Sequence, residues 1–353
     1  MSRVVEHLAE LTGFRDRDVL DVTLVGALKD LLVPASVAIY RCVGDAPAQR
    51  WLTRARLEAG QHTPTADPLW APLESLPELA AHPLRHACLE RQETLHSTDS
   101  PATAFFPLST ESAAIGVLEV ASAQRLTAPQ MQLVSSILRI YRNLQGLLDY
   151  SERDSLTGLL NRKTFDENFL RVAPPPVEAE GGESNRSFAP ADVAARLRRQ
   201  GIPGGAAWMG LIDIDHFKQV NDRFGHLIGD EVLLLLSRLM RSCFRFQDHL
   251  YRFGGEEFVV LMRCEQAAHA VAAFERLRDN VERYAFAQVG RMTVSIGLTA
   301  VRPDDSPQSA FERADRAVYH AKQNGRNRVC DHDQLVAAGQ LAEAARSSDV
   351  ELF

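Results

Sequence analysis

Two glycines followed by two carboxylates, Gly254-Gly255-Glu256-Glu257, stand between runs rich in strand formers, Leu250 to Phe253 before and Phe258 to Met262 after. Paired glycines between such runs predict a tight hairpin with the acids at its tip. Carboxylates presented there can hold a divalent cation and activate a hydroxyl for phosphate chemistry. Taken alone, the segment is more often a solvated turn, so its meaning depends on the rest of the chain. Upstream, Gly210 to Asp215 begins as a buried strand and ends in two acids, which are costly there without a partner. Asp213 with Glu256 and Glu257 makes a Mg2+ site of few carboxylates, completed by waters and substrate phosphates. Lys218 is a cation within reach of a triphosphate held by those acids. Asn221 and Asp230 have the chemistry to read guanine, Asp accepting from N1–H and N2–H and Asn donating to O6. Each also has a simpler reading, Asn221 as a turn former and Asp230 as an acid suited to a helix N-terminus.

These residues need elements to position them. From Asp154 onward the pattern is that of an α/β domain, in which Asp230-Glu231 opens an apolar helix from Val232 to Met240. Residues 1–125 form a second α/β unit. Val19 to Val33 is helical and stops at Pro34, and Ser36 to Val43 is a strand. The Pro-rich stretch from Pro47 to Pro77 reads as irregular, His82 to Arg91 as a helix, and Thr103 to Leu108 with Ala114 to Ala121 as two further strands. Residues 126–153 form a linking helix, with Thr127 as N-cap and Pro129 in its first turn. Its Leu133, Ile137, Ile140, Leu144 and Leu147 follow coiled-coil spacing, although a helix packed on its own domain fits about as well. The catalytic block spans 154–330. Residues 175–205 inside it, rich in Pro, Gly, Ser and charge, read as an exposed, flexible insertion with a short helix at Ala191 to Gln200. Residues 331–353 are a fraying tail.

A chain of 353 residues has length for two cores. Its net charge of −7 excludes an electrostatic footprint for nucleic acid, so a phosphate ligand needs a local basic pocket. The five cysteines include no C-x-x-C pair, against a zinc site or a disulfide framework. No run approaches a membrane span and no signal-peptide core opens the chain, so a cytoplasmic location without membrane insertion is expected.

Taken together the segments resemble the GGDEF family of diguanylate cyclases from Asp154 onward. The motifs are Asp154-Ser155-Leu156-Thr157-Gly158-Leu159-Leu160-Asn161-Arg162, Asp213 to Asp222, Phe224-Gly225-His226 with Gly229-Asp230, the hairpin in its GGEEF form, Thr293 to Gly297, and Ala314-Asp315 through Asn327. The first 125 residues resemble a GAF sensor domain in their order of helix and strands, particularly in the pair Phe-Pro-Leu and Ile-Gly-Val-Leu-Glu-Val. The fold implied is α/β (α+β): a GAF-like domain, a linking helix and a nucleotidyl-cyclase-like domain with a mainly antiparallel central sheet.

The resemblance implies roles. Asp213, the carbonyl of Ile214 and Glu256 bind Mg2+, with Mn2+ able to substitute; Glu256 also deprotonates the attacking 3′-hydroxyl and Glu257 assists a second metal. Asn221 and Asp230 recognise guanine, Phe217 and His226 line the site, and Lys218, Lys322 and Arg326 neutralise phosphates. The reaction implied joins two GTP into cyclic di-GMP with release of pyrophosphate. Each domain holds one GTP, so a homodimer is required, and the linking helix would pair the chains. Arg245-Phe246-Gln247-Asp248 matches the family's R-x-x-D site for inhibition by the product, and Arg276 falls where a second inhibitory arginine sits. The insertion at 175–205 departs from the family's spacing, and His216 stands where Phe is frequent. Two rivals are a silent GGDEF receptor, against which all the signature acids and lysines remain, and an enzyme with altered base choice, against which Asp230 is retained. A small-molecule or protein signal is expected at the first domain.

Overall fold

The computed structural model describes residues 2–68, 71–97, 99–110, 113–172, 189–199 and 205–342. The chain divides into two compact units, Met1–Ser151 with Glu183–Pro203, and Glu152–Gly182 with Gly204–Phe353. Among the described residues no helix is long and apolar enough to cross a membrane.

The first unit begins with helices α1 (Ser2–Gly13) and α2 (Arg17–Leu32). Asp16 caps α2 by accepting from the backbone N–H of Asp18 and Val19, and Val33 ends it in the left-handed conformation at φ 49°, just before Pro34. Strands β1 (Ser36–Val43) and β2 (Arg50–Glu58), helix α3 (Pro83–Arg91), β3 (Leu95–His96), β4 (Ala102–Ser109), β5 (Ala114–Ser122) and helix α4 (Ala128–Glu152) follow. The five strands form one antiparallel sheet in the order β2-β1-β5-β4-β3. Strand β2 corrects the sequence expectation of an irregular stretch over its length. The prolines of that stretch lie beyond Glu58 or before Arg50, and Trp51, Leu52, Ala55 and Leu57 are buried against the sheet's neighbours. Alternation divides β1 between two cores: Val37 and Ile39 join α1, α2 and α4, whereas Ala38 and Tyr40 face a smaller cluster with Trp51, Cys88, Leu89 and Phe105.

Helix α4 buries Val134, Ile137, Tyr141, Gln145 and Leu148 in the core of its own unit. Only Ile137 of the predicted heptad seam belongs to that buried face. Leu133, Ile140 and Leu144 pack beside it, and Leu147 and Tyr150 stand exposed at 67% and 88%. Reading period alone could not choose between seam and core face, since both steps are mixtures of three and four.

The second unit contains β6 (Leu160–Asn161) and α5 (Arg162–Val172); the chain then contributes α6 (Pro190–Arg199) to the first unit. This is the described part of the insertion. Its helix was expected, but Val193 and Ala194 are buried in the core that holds α2, so this part is not a surface excursion. The remainder of 175–205 lies outside the described residues, except Gly205. The chain returns as β7 (Ala206–Ile214), α7 (Phe217–Phe224), α8 (His226–Cys243), β8 (His249–Gly254), β9 (Glu257–Cys264), α9 (Ala267–Arg283), β10 (Ala285–Phe286), β11 (Gly290–Arg291), β12 (Val294–Ala300), α10 (Pro307–Gln323), β13 (Val329–Asp331) and α11 (His332–Ala337). The six-stranded sheet runs β13-β12-β7-β9-β8-β6, antiparallel at its centre and parallel at the two short edge strands. It is therefore a mixed sheet. Ile212, Ile214, Phe258, Val260, Val294 and Ile296 face α8 and α9 in the main core, which leaves the alternate residues for the other face.

Candidate active site

Strand register gathers the acids. Asp213 on β7 lies opposite Glu257 on β9 and opposite Ser295 on β12, so all three side chains share one face. Helix α10 lies on that face because Gly297 on β12 offers no side chain: a Cβ there would meet the carbonyl oxygen of Ala314 at 2.1 Å. Such close packing brings Lys322, in the last turn of α10, to Asp213, with Nζ 2.8 Å from Oδ2. Asp213 is only 7% exposed, and its other oxygen is buried without a hydrogen-bond partner.

Electrostatics follow from this crowding. Burial raises the Asp213 carboxyl above the usual range, Asp215 and Asp315 add to it, and Lys322 opposes it. Glu256 and Glu257 are raised as well, by burial first and then by Asp213. Three half-desolvated acids compete for one lysine, a local excess of negative charge that a cation would relieve. Among the described residues no three or more His, Cys, Asp or Glu converge into a metal cage. The donors here therefore suit a hard cation that keeps waters or ligand phosphates in most positions. The unpartnered oxygen of Asp213 fits that role.

The hairpin tip is held by residues that the sequence reading did not assign. Gly255 takes φ 49°, where a side chain is strained, so that Glu256 completes a two-residue turn between β8 and β9. Arg252 donates from Nη2 to the carbonyl of Gly255 at 3.0 Å and from Nη1 to Asp154 at 3.1 Å. Asp154 also accepts from the backbone and hydroxyl of Thr157. Burial alone would raise its pKa, but these bonds and Arg252 hold it below the usual value. Asp154 thus fastens the hairpin tip through Arg252. Asp215, buried beside the acids, accepts from Thr293 and Ser295 hydroxyls, each at 2.7 Å, and from the Asn327 backbone at 3.1 Å. It ties the end of β7 to the turn after α10. Its place in the Asp213-Ile214-Asp215 triplet was the available signal.

Gly225, at φ 83°, separates α7 from α8. Gly229 brings the two helices together, since a Cβ there would lie 2.0 Å from Oδ1 of Asn221. Asn221 is half-buried, and Asp230 follows Gly229 on the exposed side. The sequence placed Asp230 at a helix start; α8 begins at His226, so Asp230 lies in its second turn. Phe217 is in the core, beneath Gly229, whereas His226 and Lys218 are exposed. Arg326 is half-buried in the turn after α10 at φ 61°.

Away from the acids, Arg245 is exposed and Asp248 is 8% exposed. One Asp248 oxygen accepts from the Arg245 backbone at 2.9 Å, and the other is buried without a partner. Burial pushes the Asp248 carboxyl up to about 6, against the lowering influence of that N–H and of the Arg245 and Arg276 charges. Arg276 on α9 donates to the carbonyl of Cys243.

Residues 184–328 match the family model of the diguanylate cyclase GGDEF domain. That match includes the segment carrying α6, which packs with the first unit. Diguanylate cyclase A of Treponema denticola is 45% identical over 123 residues, covering 34% of this chain and 33% of that protein. Diguanylate cyclase DgcP of Pseudomonas aeruginosa is 38% identical over 179 residues, covering 50% of this chain and 23% of that protein. The chain thus spans a third or less of the length of these relatives. The GGDEF domain of DgcB from Caulobacter crescentus, solved in complex with c-di-GMP, is 30% identical with a TM-score of 0.42, covering 52% of this chain and 96% of that one.

Proposed function

A GGDEF domain of the diguanylate cyclase family forms the C-terminal part of this chain, and from that premise we propose that the protein condenses two GTP molecules into cyclic di-GMP with release of pyrophosphate. The observation that carries this reading is Asp213, buried between Lys322 on one oxygen and no protein partner on the other, with Glu256 and Glu257 beside it. Asp213, the Ile214 carbonyl and Glu256 would hold a divalent cation, Mg2+ or Mn2+, which when bound neutralises charge on the α-phosphate and polarises the attacking hydroxyl.

The chain's own groups do the rest. Glu256, with its raised pKa, takes the proton of the 3′-hydroxyl as that oxygen bonds to the α-phosphorus of the facing GTP. The bond to pyrophosphate breaks in line, and repetition in the opposite sense closes the ring. Lys218, Lys322 and Arg326 neutralise the phosphates, while Asn221 and Asp230 select guanine. Two domains must face each other, so the active form is a homodimer, with the exposed Leu147 and Tyr150 on α4 as candidate contacts. Arg245, Asp248 and Arg276 bind the product and inhibit. The N-terminal unit is a GAF-like sensor in this reading, supported by its antiparallel order β2-β1-β5-β4-β3.

Incubation of the purified protein with GTP and Mg2+, with product identification by chromatography and mass, tests the proposal. Cyclic di-GMP from the parent chain and none from Glu256→Ala is the expected result. A folded, GTP-binding protein that makes no product even when dimerised by fusion would overturn it.

A further inference from the structure

The smaller core of the N-terminal unit leaves space. On the sheet face opposite α1, α2 and α4 lies a cavity of about 620 Å3, within the range of small-molecule sites. Tyr40, Trp51 and Phe105 line it from the sheet, and α3 contributes Arg85. An arginine on a short surface helix ordinarily reaches for water. Arg85 turns inward and is 4% exposed. Its guanidinium lies 3.4 Å from the centre of the Tyr40 ring and 5.2 Å from that of Trp51.

Glu119 on β5 accepts from Nε of Arg85 at 2.5 Å, which neutralises the charge. A guanidinium has five N–H donors, and a buried ion pair is costly unless the remaining donors also find acceptors. Among the described residues only Nε has one, so the two terminal amino groups of this cavity-lining arginine have no protein acceptor. Two parallel N–H groups in one plane match the two oxygens of a carboxylate. The aromatic walls suit an apolar or aromatic body. The other groups offer less. Asp99 accepts from the Ser97 hydroxyl in its own loop, and Arg56 pairs with Glu58 at 2.8 Å. One recessed guanidinium balanced by one acid suits a monoanion better than a phosphate.

We propose that this cavity binds a small organic monocarboxylate with an apolar or aromatic body, held by the terminal amino groups of Arg85. Glu119 competes for the same guanidinium and thereby limits the affinity. The site lies within one unit and makes no use of the nucleotide-handling residues, so its test is separate from that of the cyclase reading.

Titration calorimetry of the full chain with benzoate and 3-phenylpropionate, against benzamide, 3-phenylpropanamide and inorganic phosphate, reads it directly. At least one acid is expected to saturate a single site, with its amide isostere at least about tenfold weaker, the value of one charge-assisted pair of bonds. Arg85→Gln removes this preference, and Glu119→Gln tightens acid binding several-fold by freeing the guanidinium. Equal binding of acid and amide, tighter binding of phosphate, no binding by either acid, or undiminished binding in a folded Arg85→Gln would overturn the proposal. Where Arg85→Gln fails to fold by circular dichroism, Glu119→Gln decides: acid binding no tighter than in the parent overturns it.

Discussion

Single residues set the sharpest expectations. Burial raises Asp248 to about 6 in the fold, above an unfolded value of about 4. The folded protein therefore binds more protons than the unfolded chain between those values. Its contribution to stability is present below about pH 4 and is lost as pH rises through about 6. The product binding proposed for Asp248 runs the other way, because only the ionised carboxylate accepts from guanine N1–H and N2–H. Inhibition by cyclic di-GMP should accordingly strengthen as pH rises through about 6, measured as an inhibition constant against pH. A flat profile, or inhibition unchanged in Arg245→Ala, would remove these residues from the product site. Gly229 carries a second expectation. Its Cβ would fall 2.0 Å from Asn221 Oδ1, so Gly229→Ala must displace the amide proposed to read the base. Loss of about one hydrogen bond predicts a KM for GTP raised by about tenfold with the melting temperature little changed. An unaltered KM would argue that Asn221 does not touch the base.

At the scale of elements, the hairpin tip depends on a chain of contacts that begins almost 100 residues upstream. Asp154 holds Arg252, and Arg252 holds the Gly255 carbonyl behind Glu256. Arg252→Ala should lower kcat by about tenfold or more through misplacement of Glu256, whereas Arg252→Lys should restore little because it lacks the two-sided fork. Steady-state rates with matched circular dichroism spectra test this; full activity in Arg252→Ala would show that the turn holds itself. Helix α4 carries another expectation. Its buried face serves its own unit, so the proposed dimer would use what remains, including Leu147 and Tyr150. The double change Leu147→Glu with Tyr150→Glu should weaken the dimer and lower GTP turnover together, with activity recovering at high protein concentration. Turnover lost while sedimentation still shows a dimer would exclude this face.

For the whole molecule, the most consequential feature is that the chain leaves the first unit after Ser151 and returns to it for α6 before β7. That return places Val193 and Ala194 in the N-terminal core. Val193→Asp should destabilise that unit by about 3 kcal/mol, the cost of an unpaired buried charge, seen as a lower first transition in calorimetry with the nucleotide-stabilised transition unmoved. A single unshifted transition would mean that α6 is not part of that core.

The motifs were legible in sequence because each is local. The Gly254-Gly255-Glu256-Glu257 turn, the Asp213-Ile214-Asp215 strand end and the Arg245 to Asp248 tetrapeptide each need only a few adjacent residues in one conformation. Strands of the central sheet announced themselves in the same way, by continuous apolar runs such as Phe258 to Met262. What stayed hidden depended on partners distant along the chain. Strand β2 was masked by neighbouring prolines and becomes a strand by pairing with β1. The roles of Arg252 and Asp215 come from hydrogen bonds to Asp154 and to Thr293, Ser295 and Asn327. The heptad-like stripe on α4 could not reveal which face its own core would claim. The inward turn of Arg85 onto Tyr40 has no sequence signal at all. Residue type and short spacing thus determined which groups this protein has for chemistry, whereas only tertiary packing decided which of them meet, because burial and hydrogen bonding across the sheet are satisfied between segments and not along one.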